Sequence, residues 1–155
     1  MKARDVATVV WRPHTPLYEP SHQTEGESRM FSHIMIGTND LDKSKGFYDA
    51  LLGTLGVAPA MVDGNRIFYM TPAGVFCVTK PINGAAATSA NGGTIGFACK
   101  SSEQADAWHA AGVANGATSC EDPPGIREGA AGKLYLAYLR DPDGNKICAM
   151  HRIAT

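Results

Sequence analysis

The sequence predicts an α+β fold built from two βαβββ modules, and three observations carry that prediction. The order strand, helix, strand, strand, strand occurs twice along the chain. An offset of 61 residues places Ile34 on Ile95, Phe47 on Trp108 and Ala50 on Ala111, so the repeat lies in element order rather than identity. The 155 residues include 17 glycines but only 8% aromatics, a composition of many short elements and tight turns, not of a long-helix bundle.

The first module begins at Phe31. Phe31–Gly37 alternates in hydrophobicity as a half-buried strand does. Thr38-Asn39-Asp40 supplies a helix N-cap, and Leu41, Phe47, Tyr48, Leu51, Leu52 and Leu55 come next at helical spacing up to Gly56. Strands are expected at Ala58–Val62, Arg66–Met70 and Val75–Lys80, separated by the turns Asp63-Gly64-Asn65 and Thr71-Pro72-Ala73-Gly74. Residues 83–93 are almost all Gly, Ala, Ser, Thr and Asn and read as a flexible connection.

The second module repeats the order. Thr94–Cys99 reads as a strand and Ser101 to Gln104 as a capping box. Ala105, Trp108, Ala111 and Ala114 fill a helical face that Gly116 ends. Strands are expected at Ala117–Glu121, Lys133–Arg140 and Lys146–Arg152. Asp141-Pro142-Asp143-Gly144-Asn145 is the clearest hairpin signal in the chain, and the segment Pro123-Pro124-Gly125-Ile126-Arg127-Glu128-Gly129 reads as a glycine-rich loop able to fold over a ligand. Phe47, Tyr48 and Trp108 read as packing, His109 and His151 as surface or satisfied histidines, and Lys43, Lys45 and Asp49 as a solvated helix face. Each module alone has a small core, and pairing the two is the natural remedy.

Residues 1–29 differ from the rest of the chain, with Pro13, Pro16 and Pro20 and little periodicity. They read as an N-terminal extension, with Val9-Val10-Trp11 and Leu17-Tyr18 as anchors if it covers a partner subunit. The compact domain is expected over 30–155, with modules at about 30–82 and 93–153. With 14 basic and 15 acidic residues, no charge excess points to nucleic acid. No stretch approaches the roughly 18 apolar residues of a membrane span, and the expected location is cytoplasmic. Cys77, Cys99, Cys120 and Cys148 form no CxxC pair, so neither a zinc ribbon nor a thioredoxin-type motif is present. There is also no P-loop, GxSxG or GxGxxG-after-strand pattern.

The element order, with "FSHIMIGTNDLDKSKGFYDALLGTLG" near the start and "YLAYLRDPDGNKICAMH" at the end, resembles the vicinal oxygen chelate superfamily, which includes glyoxalase I, extradiol dioxygenases and the fosfomycin- and bleomycin-resistance proteins. The resemblance covers residues 30–153. It implies two modules forming an open, curved cleft with helices on the outer face, a small-molecule ligand, and a homodimer. It also implies a divalent metal on the cleft floor, bound by residues of the first and last strands. His33 stands at the first-strand histidine, Thr94 at the His or Gln of the second module, and Cys148 at the usual Glu, where "KIE" reads "KIC". Cys77, or Thr79 after a slip of two, holds the fourth position. No carboxylate remains in the set.

Strand alternation puts His33, Met35, Thr94, Cys148 and Met150 on the cleft side. The metal hypothesis is therefore His33, Cys77 and Cys148 around Zn, Fe or Ni, two thiolates and an imidazole with one open position. A second hypothesis pairs Cys148 with His33 as nucleophile and base. A third is a metal-free cleft. Substrate contacts are expected from His33, Met35, Thr94, Met150 and Arg127, whose guanidinium suits a carboxylate or phosphate. Two functions are consistent with these residues: a glyoxalase-like lyase or isomerase acting on a small carbonyl- or thiol-containing metabolite, or a non-catalytic binder of the resistance-protein type.

Overall fold

In the computed structural model, which describes residues 30–130 and 132–154, the first module consists of β1 (His33–Gly37), α1 (Leu41–Gly53), β2 (Met61–Asp63), β3 (Arg66–Thr71) and β4 (Gly74–Thr79). The second consists of β5 (Ile95–Ala98), α2 (Ser102–Ala114), β6 (Thr118–Ser119), β7 (Gly125–Gly129), β8 (Gly132–Arg140) and β9 (Lys146–Arg152). The strands form two mixed, open sheets, ordered β1-β4-β3-β2 and β5-β9-β8-β6, with β7 added on β8. In each module the first and last strands run parallel and the remaining pairs antiparallel. Among the described residues no helix is long and apolar enough to cross a membrane. The N-terminal extension lies outside the described residues.

The helices start where the sequence says they should. The Asp40 side chain accepts from the Lys43 backbone N–H, and Ser101 accepts from that of Gln104, each satisfying a donor that the first helical turn leaves free. The Gln104 side chain reaches back to the Lys100 N–H, one residue before the position a strict capping box would use. Phe47, Tyr48, Leu51, Leu52 and Trp108 are buried as expected. Asp49 is more than a solvated charge. Besides pairing with Lys45, it accepts from the Ala60 N–H and the Tyr69 hydroxyl, tying α1 to the sheet. His109 bonds Ser119 Oγ and His151 bonds the Cys99 carbonyl, so both are satisfied.

Three elements depart from expectation. The strand expected at Ala58–Val62 is β2 at Met61–Asp63, and that expected at Ala117–Glu121 is only Thr118–Ser119. The segment around Arg127 is a strand, not a loop: Gly125–Gly129 pairs antiparallel with β8 from Leu136 to Gly132. Its composition hides this, since glycine carries no strand propensity. The long β8 supplies the ladder, and Gly132 closes the turn at φ +88°. Arg127 therefore sits on a paired strand and does not gate the cleft as a free loop.

The helix-side faces of the two sheets merge into one core, in which Tyr48, Tyr69, Phe76 and Val78 of the first module join Trp108, Ala137, Leu139, Ile147 and Ala149 of the second. Gly112 permits the close approach. A Cβ there would stand 2.3 Å from Leu139 Cδ1 and 3.1 Å from Leu51 Cδ1, so α2 lies between a strand of its own module and the helix of the other.

Polar groups lock the same junction. The β8–β9 hairpin places Asp141 against Tyr48, whose hydroxyl donates to Asp141 Oδ2 at 2.7 Å. Asp143 accepts from Thr38 Oγ1 at 2.7 Å, from Ser44 Oγ, and from the backbone and side-chain N–H groups of Asn39. Asn145 Nδ2 donates to the Gly37 carbonyl and to Asp141. Burial alone would raise the Asp143 carboxyl, but these hydrogen bonds together hold it below its ordinary value. Burial, then the Asp141 charge, pushes the Tyr48 phenol well above its own. A Tyr48→Phe substitution keeps the ring packing and removes one hydrogen bond to a buried carboxylate. Thermal or urea denaturation should show a loss of about 1.5–3 kcal/mol.

Candidate functional site

The strand registers build two equivalent rows of side chains on the sheet faces turned away from the helices. In the first sheet Met35 pairs with Cys77, Cys77 with Phe68 and Phe68 with Met61, so one row crosses all four strands. In the second, Gly96 pairs with Cys148 and Cys148 with Tyr138. The Cys120 N–H donates to the Tyr138 carbonyl one step beyond the β6–β8 ladder. The second row is therefore Gly96, Cys148, Tyr138, Cys120. Cys77 and Cys148 occupy equivalent places, so Cys77, rather than Thr79, is the counterpart of Cys148. Gly96 stands where the first module has Met35, and a Cβ on it would meet no atom within 4 Å. Tyr135 and Tyr138 lie on opposite faces of β8: Tyr135 donates to Asp106 on α2.

Between the modules, beside the edge strands β1 and β5, lies a cavity of ≈ 210 Å³. Ile34, Leu52, Leu55, Tyr69, Phe76, Ile95 and Phe97 form apolar walls, with Phe31, Ser32, His33, Thr71 and Gly96 also lining it. The rings of Phe76 and Phe97 meet edge to face, centroids 5.3 Å apart, joining the two modules behind the cavity. His33 is exposed, and its Nδ1 lies 3.0 Å from Ser32 Oγ.

The residues expected to bind substrate are dispersed. His33 lines the cavity, and Met35, 40% exposed, lies on the outer face of the first sheet. Met150 lies on the outer face of the second, opposite Ala98 and Leu136. Arg127 joins that face through its pairing with Leu134. Thr94 is exposed and precedes β5; the residue flanking Cys148 is Gly96, so register separates Thr94 from that thiol.

The residues expected as metal ligands do not form a ligand group within the chain. Among the described residues no set of three or more His, Cys, Asp and Glu side chains is placed to hold a metal ion. Burial pushes the Cys77 thiol up, against a weaker opposing pull from Arg66. Burial likewise raises Cys148, against hydrogen bonding from Tyr138 and the Ala137 backbone. Among the described residues His33, Cys77 and Cys148 thus do not converge on one ion within the chain. The Cys148–His33 pair fares no better, since the Cys148 thiol donates to its neighbour's carbonyl, Ala149 O, and His33 bonds Ser32.

The structure adds residues to which the sequence gives no role, Cys120, Lys146 and Glu121, beside Tyr138. The Lys146 ammonium lies 4.8 Å from the centre of the Tyr138 ring and pairs with Glu121. Glu121 is the one non-glycine described residue at positive φ, +60°. Such backbone costs roughly 1–3 kcal/mol and persists where the surroundings hold it. The Arg127 guanidinium folds back to donate to the Pro123 carbonyl at 2.8 Å. The only sequence signal for this cluster is the hairpin, which sets the β8–β9 register.

The Glyoxalase/Bleomycin resistance protein/Dioxygenase superfamily model matches residues 30–149. The chain belongs to this superfamily. A glyoxalase/bleomycin resistance protein from Albidiferax ferrireducens T118 is 67% identical, with a TM-score of 0.78 over 79% of this chain and 99% of that one. Two more distant structures share the glyoxalase fold. A glyoxalase-related enzyme from Fulvimarina pelagi is 21% identical, with a TM-score of 0.63 over 81% of this chain and 89% of that one. A lactoylglutathione lyase from Agrobacterium tumefaciens is 17% identical, with a TM-score of 0.55 over 78% and 92%. None of the curated proteins compared with the chain matches it. Within the superfamily fold, the thiols at the last-strand positions are the feature to probe. Cys77, Cys99 and Cys148 are buried and Cys120 is partly exposed. Iodoacetamide labelling of the native protein at neutral pH, read by peptide mass spectrometry, should therefore modify Cys120 well before the other three.

Proposed function

We propose that this glyoxalase-superfamily chain is a small-molecule-binding protein of the resistance type, holding its ligand without a resident metal. The observation that carries this reading is the apolar cavity of ≈ 210 Å³ between the modules. Cavities of about 150 Å³ lined by aliphatic and aromatic side chains already take up benzene in other proteins, so the space suits a one- or two-ring compound. The last-strand positions suit the same reading: Cys77 and Cys148 are buried, and among the described residues no three His, Cys, Asp or Glu side chains are grouped to hold a metal.

A second reading has one observation in its favour. His33 is the only imidazole lining the cavity among the described residues, and a lyase or isomerase acting on a small carbonyl compound would use it as base. That reading requires turnover to vanish in His33→Ala, whereas the binding reading requires ligand uptake to survive it.

The homodimer belongs to this proposal, because β1 and β5 are both edge strands and Met35 on β1, outside the cavity, is exposed. Free edges with apolar side chains favour pairing with another chain. All four cysteines are free, which suits the cytoplasmic location proposed here.

The test is direct. The neutral fluorophore N-phenyl-1-naphthylamine should bind the purified protein saturably. Ile34→Trp, which fills the cavity from β1, should weaken that binding at least about tenfold, or 1.4 kcal/mol, with unchanged thermal stability. Binding that ignores the filled cavity would place the ligand elsewhere.

A further inference from the structure

Two free strand edges bound the cavity between the modules. In a parallel pair, alternate residues turn both their backbone N–H and their C=O toward the partner strand. In β1 these residues include Ser32, whose carbonyl accepts from the Val75 N–H, with Ile34 and Ile36 in phase and Thr38 donating to the Thr79 carbonyl just beyond. His33 and Met35 therefore turn their backbone groups away from β4, to the open edge. In the second module the Cys99 N–H donates to the Met150 carbonyl. Ile95 and Phe97 thus face β9, and Gly96 and Ala98 face the open edge of β5.

Of these four open-edge residues, His33 and Gly96 line the cavity. Met35 lies outside it, where the second copy proposed above would meet the edge. The polar side chains of the wall are engaged within the chain. Tyr69 donates to Asp49 and to the Lys45 carbonyl, Thr71 donates to the Gly74 carbonyl, and Ser32 Oγ bonds His33 Nδ1. Beyond the second ring nitrogen of His33, the polar capacity offered to a ligand is therefore that of two backbone edges, with an N–H and a C=O on each. A trans secondary amide matches that arrangement. Its N–H and C=O point in opposite directions, as in a peptide unit of an inner strand, which bonds a neighbour on either side.

We propose, resting on the small-molecule reading above, that the ligand is an aromatic compound bearing a secondary amide. The amide lies between β1 and β5. Its carbonyl accepts from the backbone N–H of one edge residue, His33 or Gly96, and its N–H donates to the carbonyl of the other. The attached ring packs into the cavity against Ile34, Leu52, Phe76 and Phe97. The apolar walls thus take the ring, and the edges select the functional group. An ester of the same shape keeps the carbonyl but offers no donor, and leaves one edge carbonyl unanswered.

Isothermal titration of the full chain with N-benzylacetamide, benzyl acetate and N-methylacetamide tests this. The benzyl amide should bind at least tenfold more tightly than the ester, and the ringless amide undetectably. Proline removes a backbone N–H and is tolerated on a free strand edge. Of His33→Pro and Gly96→Pro, the one that removes the N–H facing the amide carbonyl should weaken the benzyl amide at least tenfold. Ala98→Pro, on the same edge but outside the cavity, should leave it unchanged. His33→Ala should cost less than His33→Pro; equal losses would put the carbonyl on the imidazole and overturn the edge assignment. Melting temperatures check that the variants fold. Should the proline variants be unstable, the amide-to-ester ratio of the unaltered protein still decides the question. Equal affinity for amide and ester overturns the amide assignment and leaves the small-molecule reading standing. If neither binds, the assignment also falls, and the neutral fluorophore decides separately whether the cavity binds anything. Amide affinity that falls as protein concentration rises gives the edges to a second copy of the chain and overturns the assignment too.

Discussion

The fold depends on a polar junction buried between two apolar modules. The hairpin that turns β8 into β9 presents two carboxylates to the first module: Asp141 receives Tyr48, and Asp143 receives Thr38, Asn39 and Ser44. Thr38 and Ser44 are fully buried, so their hydroxyls need these partners, while Asp143 is half-buried and Asn39 exposed. A satisfied buried network rigidifies and specifies one arrangement, whereas a half-satisfied one is costly. Apolar contact alone, between faces as similar as these, would tolerate sliding. The hydrogen bonds permit one position of the second hairpin against the β1–α1 junction. That position sets the gap beside β1 and β5, and the cavity is a consequence of it.

The same repeat that makes the architecture simple also divides the chemistry. Cys77 and Cys148 are equivalent by register, yet their rows differ. One ends in Met35 and holds Phe68; the other ends in Gly96 and holds Tyr138 with Lys146 over its ring. A duplicated module can thus carry different side chains on equivalent strand positions. Both last strands carry a buried thiol where the resemblance implies a ligand, and among the described residues these thiols and His33 form no group placed to hold a metal.

Much of this is legible in the sequence. The repeat order, the two helix caps, the buried aromatics and the β9 boundaries all come from spacing, because each is a local property of a periodic segment. The resemblance to the superfamily puts His33, Cys77 and Cys148 in the right strands. The hidden features depend on long-range pairing. The strand Gly125–Gly129 carries too much glycine to announce itself and exists because β8 is long enough to pair with it. Alternation puts Thr94 and Gly96 on one face, but only register shows that Gly96, not Thr94, stands beside Cys148. Asp49 has the spacing of a surface charge, although the Ala60 N–H and the Tyr69 hydroxyl give it a structural role. Neither the fold-back of Arg127 over Gly125 nor the positive φ of Glu121 has any local signature.

Metal independence is the claim on which the functional account turns. The most direct measurement compares the affinity of the neutral fluorophore for protein dialysed against EDTA with that after adding back stoichiometric Zn²⁺, Fe²⁺ or Ni²⁺. The account predicts one dissociation constant under all conditions. Binding that is absent after chelation and returns with a metal would contradict it.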